Sequence, residues 1–483
     1  MEKQTGLGRA RLALLCAAAS LVLVLLCSQS SPLYPTNTWV DANCLLTVGR
    51  VMKEGGVLYR DIYEQKGPTL YLIHLLAAFI SDMSFFGVFV MEVLSLAAVI
   101  GTGCRMLMRR MGTLSAFAAA ALAAALIVSG GAFMKGDSAE EFCLPYLMGA
   151  LHIAFMQYGE RSAPMQRRAL FACGLLAGVV ATIKFTVLGL FVGLCLAEGV
   201  LALREGGLQR AACSAGVFLA GMLLPVAAWC AYFAANGALA DFCTAYVHNN
   251  IFLYSDETRT AMSFLRDVLA AVRGNAPCAV VICLGLAALL RSQGERLALR
   301  FSVMSMAVCA FAAAFLFGRT FAYYPLALGV LAFPALMALY DLLPKAARQL
   351  SAPVMCVLAL AAAVCLSPNA PLRFVKREDL AQTRLAAHIH PGATLLQYSH
   401  LDDGLYLASG TLPQERFFVR LNVNYDEMHE ALDRYLDEGL PDYVLVSWEE
   451  LPERFDRYQW VATDAGYDDA NRINKLLHLY RRK

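Results

Sequence analysis

Charge is scarce in this chain: Asp, Glu, Lys and Arg make up 16% of its 483 residues, against 59% hydrophobic. That balance is too apolar for an ordinary soluble protein of this length, so most of the chain belongs in lipid. The formal net charge is only +2, which excludes the global basic field that tracks nucleic acid. The fifteen cysteines include no CxxC pair and no His/Cys group at zinc spacing. Most of them, Cys16, Cys104 and Cys173 among them, lie inside apolar runs, where Cys acts as a small buried hydrophobe rather than as part of a disulfide framework. The tail from about residue 371 has no cysteine and no glycine-rich phosphate loop, which argues against an independent nucleotide-dependent enzyme there. No internal repeat at a fixed period is visible, so a transporter built from two related halves is not supported.

What the chain does have is long apolar runs. Stretches of bilayer-spanning length, about 20 residues, fall near 12–31, 84–108, 113–133, 142–158, 210–235, 275–291, 299–317, 320–342 and 351–367, and 168–203 is long enough for two more. The expectation is about eleven transmembrane helices. Arg9 and Arg11 precede the first run, but the small residues that a signal peptidase needs are missing after it, so a retained first helix is expected. Basic residues then cluster at every second junction: Arg105, Arg109 and Arg110; Arg161, Arg167 and Arg168; Arg204 and Arg210; Arg291, Arg296 and Arg300; Lys345 and Arg348. Placing those junctions in the cytoplasm puts the N-terminus inside and the tail outside.

Three outward segments are then too long for simple turns: 32–83, 236–274 and 369–483. The first contains the amphipathic run Pro68–Ile80, too short to span and expected at the membrane surface. In the tail, strand-like runs at 394–398, 417–421 and 443–448 and a helical pattern at Met428, Ala431, Leu432, Tyr435 and Leu436, closed by Gly439, predict a small α/β domain. The chain is thus expected to divide into an all-α polytopic membrane domain, 1–368, and an extracytoplasmic α/β domain, 369–483, acting as a cap or acceptor-docking module.

The polar residues of the outer segments are the candidates for chemistry. Asp41, just past the first run, is either an interfacial helix cap beside the belt residue Trp39 or a general base for an acceptor hydroxyl. The stretch from Leu58 to Tyr71 sets Arg60, Asp61, Glu64 and Lys66 among Tyr59, Tyr63 and Tyr71. Cations that hold a phosphate, with aromatic faces for a sugar ring, suit an enzyme acting on a lipid phosphate, although a salt-bridged surface loop has the same composition. Asp137, Glu140 and Glu141 open the helix at 142–158, where the dipole alone favours acids. Lys184 interrupts an apolar stretch and must sit at a span boundary or face a polar cavity. Arg319, Tyr323 and Tyr324 lie in an outward hairpin as a phosphate partner with pocket walls, or as interfacial anchors. His248, Asn249 and Asn250 in the middle outer loop could touch an acceptor.

Together, Asp41, the run from Gly55 to Asp61, Lys66-Gly67-Pro68, the run from Glu140 to Pro145, Lys184 and the segment from Arg319 to Pro325 resemble the multi-spanning glycosyltransferases of the GT-C fold, in the bacterial group similar to protein O-mannosyltransferases and the lipid A aminoarabinose transferase. The resemblance implies inverting transfer of a sugar from a polyprenyl-phosphate carrier to an acceptor at the outer membrane face, in contact with membrane lipid. It makes Asp41 the candidate base, Lys66 the lysine that meets the carrier phosphate, and Glu140 or Glu141 the second acidic position. Two positions depart from the family pattern: Asp137 stands where Asn is frequent, and Ala322 precedes the tyrosines where His-Tyr is frequent. These leave donor and acceptor identity open. Neither a metal nor an organic cofactor is expected. The rival readings are a transporter or flippase of lipid-linked sugars, which should carry ionisable residues in several spans where this chain has only Lys184 and Glu92, and a noncatalytic membrane scaffold.

Overall fold

The computed structural model describes residues 8–254, 260–316, 320–468 and 473–483. Its chain divides into two compact units, one of Met1–Ser28, Phe89–Trp229 and Glu257–Ala370, the other of Gln29–Val88, Cys230–Asp256 and Pro371–Lys483.

The first unit is helical. Among the described residues, six helical stretches are long and apolar enough to cross a membrane: Arg9–Cys27, Phe86–Leu107, Arg167–Ala235, Leu297–Phe315, Tyr324–Asp341 and Lys345–Cys365. A seventh span results if Ala261–Gly274 and Ala276–Arg291, bent by 100° at their junction, count as one. By length and composition the structure therefore yields six or seven spans, and the expected eleven are not established. Two causes account for the gap. Arg167–Ala235 is one 69-residue stretch by this measure, yet it holds the helix Arg167–Lys184, a short turn at Phe185–Leu188, and the helix Gly189–Ala235. The last is broken at Gly206 and Gly207, the second with φ +65°, a conformation that costs glycine least. Conversely, Thr113–Val128 has only 16 residues, and Ala139–Glu160 carries acids in its first turn.

Small residues bring these helices together. In Thr113–Val128 every residue from Ala118 to Val128 is buried. A Cβ on Gly174 would lie 2.1 Å from the Phe218 carbonyl oxygen, and one on Gly178 2.2 Å from that of Met222. Where lipid removes the hydrophobic drive between helices, such close backbone approach is what holds them.

The second unit carries the expected α/β module. Its four-stranded sheet runs β1 (Leu395–Gln397), β2 (Tyr443–Ser447), β3 (Tyr458–Asp468) and β4 (Ile473–Arg482), in the order β1-β2-β4-β3. β1 pairs parallel to β2, and β4 is antiparallel to both β2 and β3. The expected helix is Asp426–Glu438, closed by Gly439 at φ +71°. The run 417–421 does not form the expected strand: Phe417, Phe418, Val419 and Leu421 are buried, but the segment is irregular. It reaches β1 through a single bond from the Gln397 N–H to the Phe418 carbonyl, so apolar pattern there reports burial and not strand.

In the same unit the helices Val40–Lys53 and Pro68–Ile80 pack closely, the second starting with proline at its first turn as the Gly67-Pro68 pair predicts. Gly49 makes the approach possible, since a Cβ there would fall 2.6 Å from the His74 backbone carbon and carbonyl oxygen. Gly49→Ala is therefore expected to lose about 1–3 kcal/mol by overpacking, despite alanine's higher helix propensity. A lower midpoint of thermal unfolding in detergent checks this; an unchanged or higher midpoint would mean that the helix pair gives way freely.

Candidate functional site

Asp41 occupies the first turn of Val40–Lys53, where the helix dipole favours a carboxylate. Lys66 reaches it from the segment that precedes Pro68–Ile80. The ammonium Nζ lies 3.0 Å from Asp41 Oδ1 and 2.9 Å from Glu64 Oε1. Glu64 is fully enclosed, and its other oxygen, Oε2, accepts the Lys66 backbone N–H at 2.8 Å. One carboxylate thus holds Lys66 at two points and leaves the second contact of Nζ for Asp41. The side chains of Asp41 and Lys66 are each 16% exposed, so this end of the trio is the accessible one. Burial alone would push the Lys66 ammonium down, but Asp41 and Glu64 outweigh it and hold it well above the ordinary lysine range. Lys66 is charged at any physiological pH, and this charge is lost only as pH rises through that elevated value. Binding of any anionic ligand that depends on this charge is accordingly expected to be flat between pH 7 and 9; an alkaline loss of affinity centred below pH 9 would show that Lys66 is not the cation concerned.

The loop bearing Lys66 is rigid by construction. Tyr59 sits at φ +69°, a costly conformation for a bulky residue. Its N–H bonds to the Ile62 carbonyl at 2.8 Å, its hydroxyl donates to the Lys66 carbonyl at 2.6 Å, and Arg416 Nε donates to its carbonyl at 3.0 Å. The Tyr59 ring is buried against Phe233 and Phe242. Asn249 donates to the Tyr63 hydroxyl at 2.7 Å and Asn250 to the Gln65 carbonyl at 2.7 Å, so these two residues brace the loop. His248 contacts Asn249 Oδ1 at 3.1 Å. Arg60 and Asp61 form a two-point ion pair at 2.8 Å on the exposed side, where Arg60 also donates to the Asn236 carbonyl.

The first unit holds a second acid–cation pair. Glu140 and Glu141 open the helix Ala139–Glu160, whose N-cap Ser138 accepts the Glu141 N–H. Their side chains diverge. Glu141 Oε2 accepts the Asp137 N–H at 2.9 Å, a bond that Glu92 Oε1 shares, and Asp137 is itself held at φ +65°. Glu140 Oε1 instead pairs with Lys184 Nζ at 2.6 Å, while its Oε2 is buried without a hydrogen-bond partner. Lys184 ends the helix Arg167–Lys184, a position favourable for a cation, and its Nζ lies 4.1 Å from the Tyr324 ring centre and 4.8 Å from that of Tyr323. That distance is within cation–π range.

The structure therefore joins Asp41 to Lys66, and Glu140 to Lys184, Tyr323 and Tyr324. Tyr59, Arg60, Asp61 and Glu141 are placed in contacts of their own, and Arg319 lies outside the described residues. In the sequence Glu64 is only one charge of a cluster; its central place between the backbone and side chain of Lys66 depends on burial, which spacing does not reveal. Among the described residues no group of three or more His, Cys, Asp or Glu is arranged to hold a metal ion.

No family model matches the chain, and no curated protein matches it in sequence. Solved structures do. The chain is similar to ArnT from Cupriavidus metallidurans bound to undecaprenyl phosphate, with a TM-score of 0.67 and 15% identity over 98% of each chain. Against the apo state of the same protein the TM-score is 0.65, at 15% identity, over 96% of this chain and 97% of the other. At this identity the likeness shows the fold, which is of GT-C type with a small C-terminal sheet domain, in a chain that is a multi-pass membrane protein.

Proposed function

We propose that the chain is a membrane glycosyltransferase that moves a sugar from a polyprenyl-phosphate carrier to an acceptor at the outer face of the membrane, with inversion and with Asp41 as general base. The observation that carries the reading is the Asp41–Lys66–Glu64 trio: a fixed, partly accessible cation whose one releasable partner is a carboxylate. The likeness in fold to a protein crystallised with undecaprenyl phosphate supports the choice of carrier.

In this reading a donor phosphate takes over the Nζ contact that Asp41 holds, while Glu64 keeps Lys66 in place. Donor binding thereby frees the Asp41 carboxylate. Asp41 accepts the acceptor's hydroxyl proton as that oxygen bonds to the anomeric carbon; the bond from this carbon to the phosphate oxygen breaks, and the electron pair leaves with the polyprenyl phosphate. Attack from the side opposite the leaving group inverts the anomeric centre. Glu140, with its one uncommitted oxygen, is the choice over Glu141 for the second acidic position, and Lys184 with Tyr323 and Tyr324 contributes to substrate binding. The division into a transferase domain over 1–368 and an extracytoplasmic α/β domain over 369–483 that docks the acceptor belongs to the same proposal, as does a cytoplasmic N-terminus. The acceptor is a cell-wall polymer, a lipid or a protein.

The test is reconstitution in liposomes with a panel of radiolabelled polyprenyl-phosphate monosaccharides. The expected result is carrier-dependent release or transfer of the sugar. If no donor in the panel is consumed while labelled carrier crosses the bilayer, the chain is a flippase.

A further inference from the structure

A cavity of about 160 Å³ lies within the second unit and includes neither Asp41 nor Lys66. Its volume is roughly ten times what a single water requires on this measure. It is lined by residues 29–32 and 34–36, by Asn43, by the residues around Phe85, and by Arg377, Gln382, Thr383 and the turn at Gly404.

Several of its polar groups are spoken for. Gln29 Oε1 accepts both the N–H and the hydroxyl of Thr38, and the Tyr34 hydroxyl accepts from Arg373. Others are not. Gln382 is 8% exposed, and its side-chain amide has no hydrogen-bond partner among the described residues. Asn43 is 2% exposed; its Nδ2 donates to the Asn37 and Trp39 carbonyls, which turns its Oδ1 toward Gly404 and leaves that oxygen without a donor. Gly404, at φ +84°, keeps this space open, because a Cβ there would sit 3.1 Å from Asn43 Oδ1. Thr36 and Thr383 add hydroxyls that bond to no described residue.

Amide groups that sit on largely buried side chains, open to a cavity and unbonded to protein, are available to a ligand that completes them. The free groups here are the Gln382 amide, the Asn43 Oδ1 oxygen and two hydroxyls, which between them offer both donors and acceptors, and no carboxylate lines the cavity. Tyr34, Phe85 and Met83 supply apolar faces beside them. Neutral, densely hydroxylated and apolar on its ring faces, a sugar ring is the chemical class that matches. We infer that this cavity is a carbohydrate-binding site distinct from the Asp41–Lys66 site, with Gln382 and Asn43 Oδ1 bonding sugar hydroxyls and Arg377 at the rim. The inference stands on the cavity's own chemistry and does not require the transferase reading.

The test uses the full chain in nanodiscs and a panel of neutral methyl glycosides and disaccharides, with sugar phosphates and a hexuronate as anionic arms, read by saturation-transfer NMR and titration. At least one sugar should bind saturably to the wild type and at least tenfold more weakly to Gln382→Leu, which keeps bulk and removes the amide. Asp41→Asn should bind it as the wild type does. Should Gln382→Leu fail to fold, Thr383→Val, which is isosteric, decides by the same loss of affinity. The inference is overturned if no sugar binds, if Gln382→Leu binds as well as the wild type, or if affinity is lost in Asp41→Asn alone, which would put the sugar at the other site. It is equally overturned if only anionic sugars bind and Arg377→Gln alone removes them, which would reduce the site to a surface cation. These outcomes are independent of whether any donor is consumed.

Discussion

Asp41→Asn should lower carrier-dependent sugar transfer by a factor of about 10² to 10⁴, the range that a positioned general base contributes. The change keeps the side chain's size and its place in the first turn of Val40–Lys53, so folding and donor binding should survive. Its amide also gives up the charge that pairs with Lys66, and donor affinity should if anything rise, because the phosphate no longer competes with a carboxylate for Nζ. The pairing of a collapsed turnover with undiminished donor affinity is the specific signature. It is read from single-turnover transfer and from donor titration on the same preparation. If turnover falls only as far as donor binding falls, Asp41 positions Lys66 and is not the base.

The second large effect concerns Lys66. Lys66→Met preserves the length of the stem but strips Glu64 and Asp41 of their shared cation. Removing one partner of a buried ion pair costs about 3–5 kcal/mol, since the other charge is left uncompensated. Glu64, with a side chain wholly enclosed, bears most of that cost. Lys66→Met should therefore both lower the unfolding midpoint and abolish donor binding, whereas the double change Lys66→Met with Glu64→Gln should recover stability without recovering donor binding. Recovery of both would place the phosphate contact elsewhere; recovery of neither would mean that the loop, rather than the charge, has been lost.

Much of this arrangement can be read from the chain because it follows from strong local rules. The Gly67-Pro68 pair marks the start of a helix that ends at Ile80, where its apolar run ends. Gly439 closes the helix Asp426–Glu438 in the left-handed conformation that the cap position favours. Arg204 and Arg210 bracket the break at Gly206 and Gly207. Other features depend on tertiary context. The hairpin of β3 and β4 lacks a clean apolar alternation, so half of the sheet is invisible to a period-two pattern. Span number is obscured because Thr113–Val128 is short and Gly189–Ala235 is two helices that meet at a tight break. At the site, Asp41 and Lys66 announce themselves by charge, and the choice between Glu140 and Glu141 becomes possible only once their side chains are seen to diverge. Gln382 and Asn43 carry no signal at all, being uncharged residues singled out only by the cavity they face.

The helix Thr113–Val128 shows that chemical blandness and freedom to vary are opposites here. Seven of its alanines between positions 118 and 125 are buried, so its own side chains do almost nothing while its neighbours use every face of it. Any larger residue would have to displace one of them. In an exhaustive substitution scan this helix should stand out as an intolerant stripe that no inspection for catalytic or charged residues would single out.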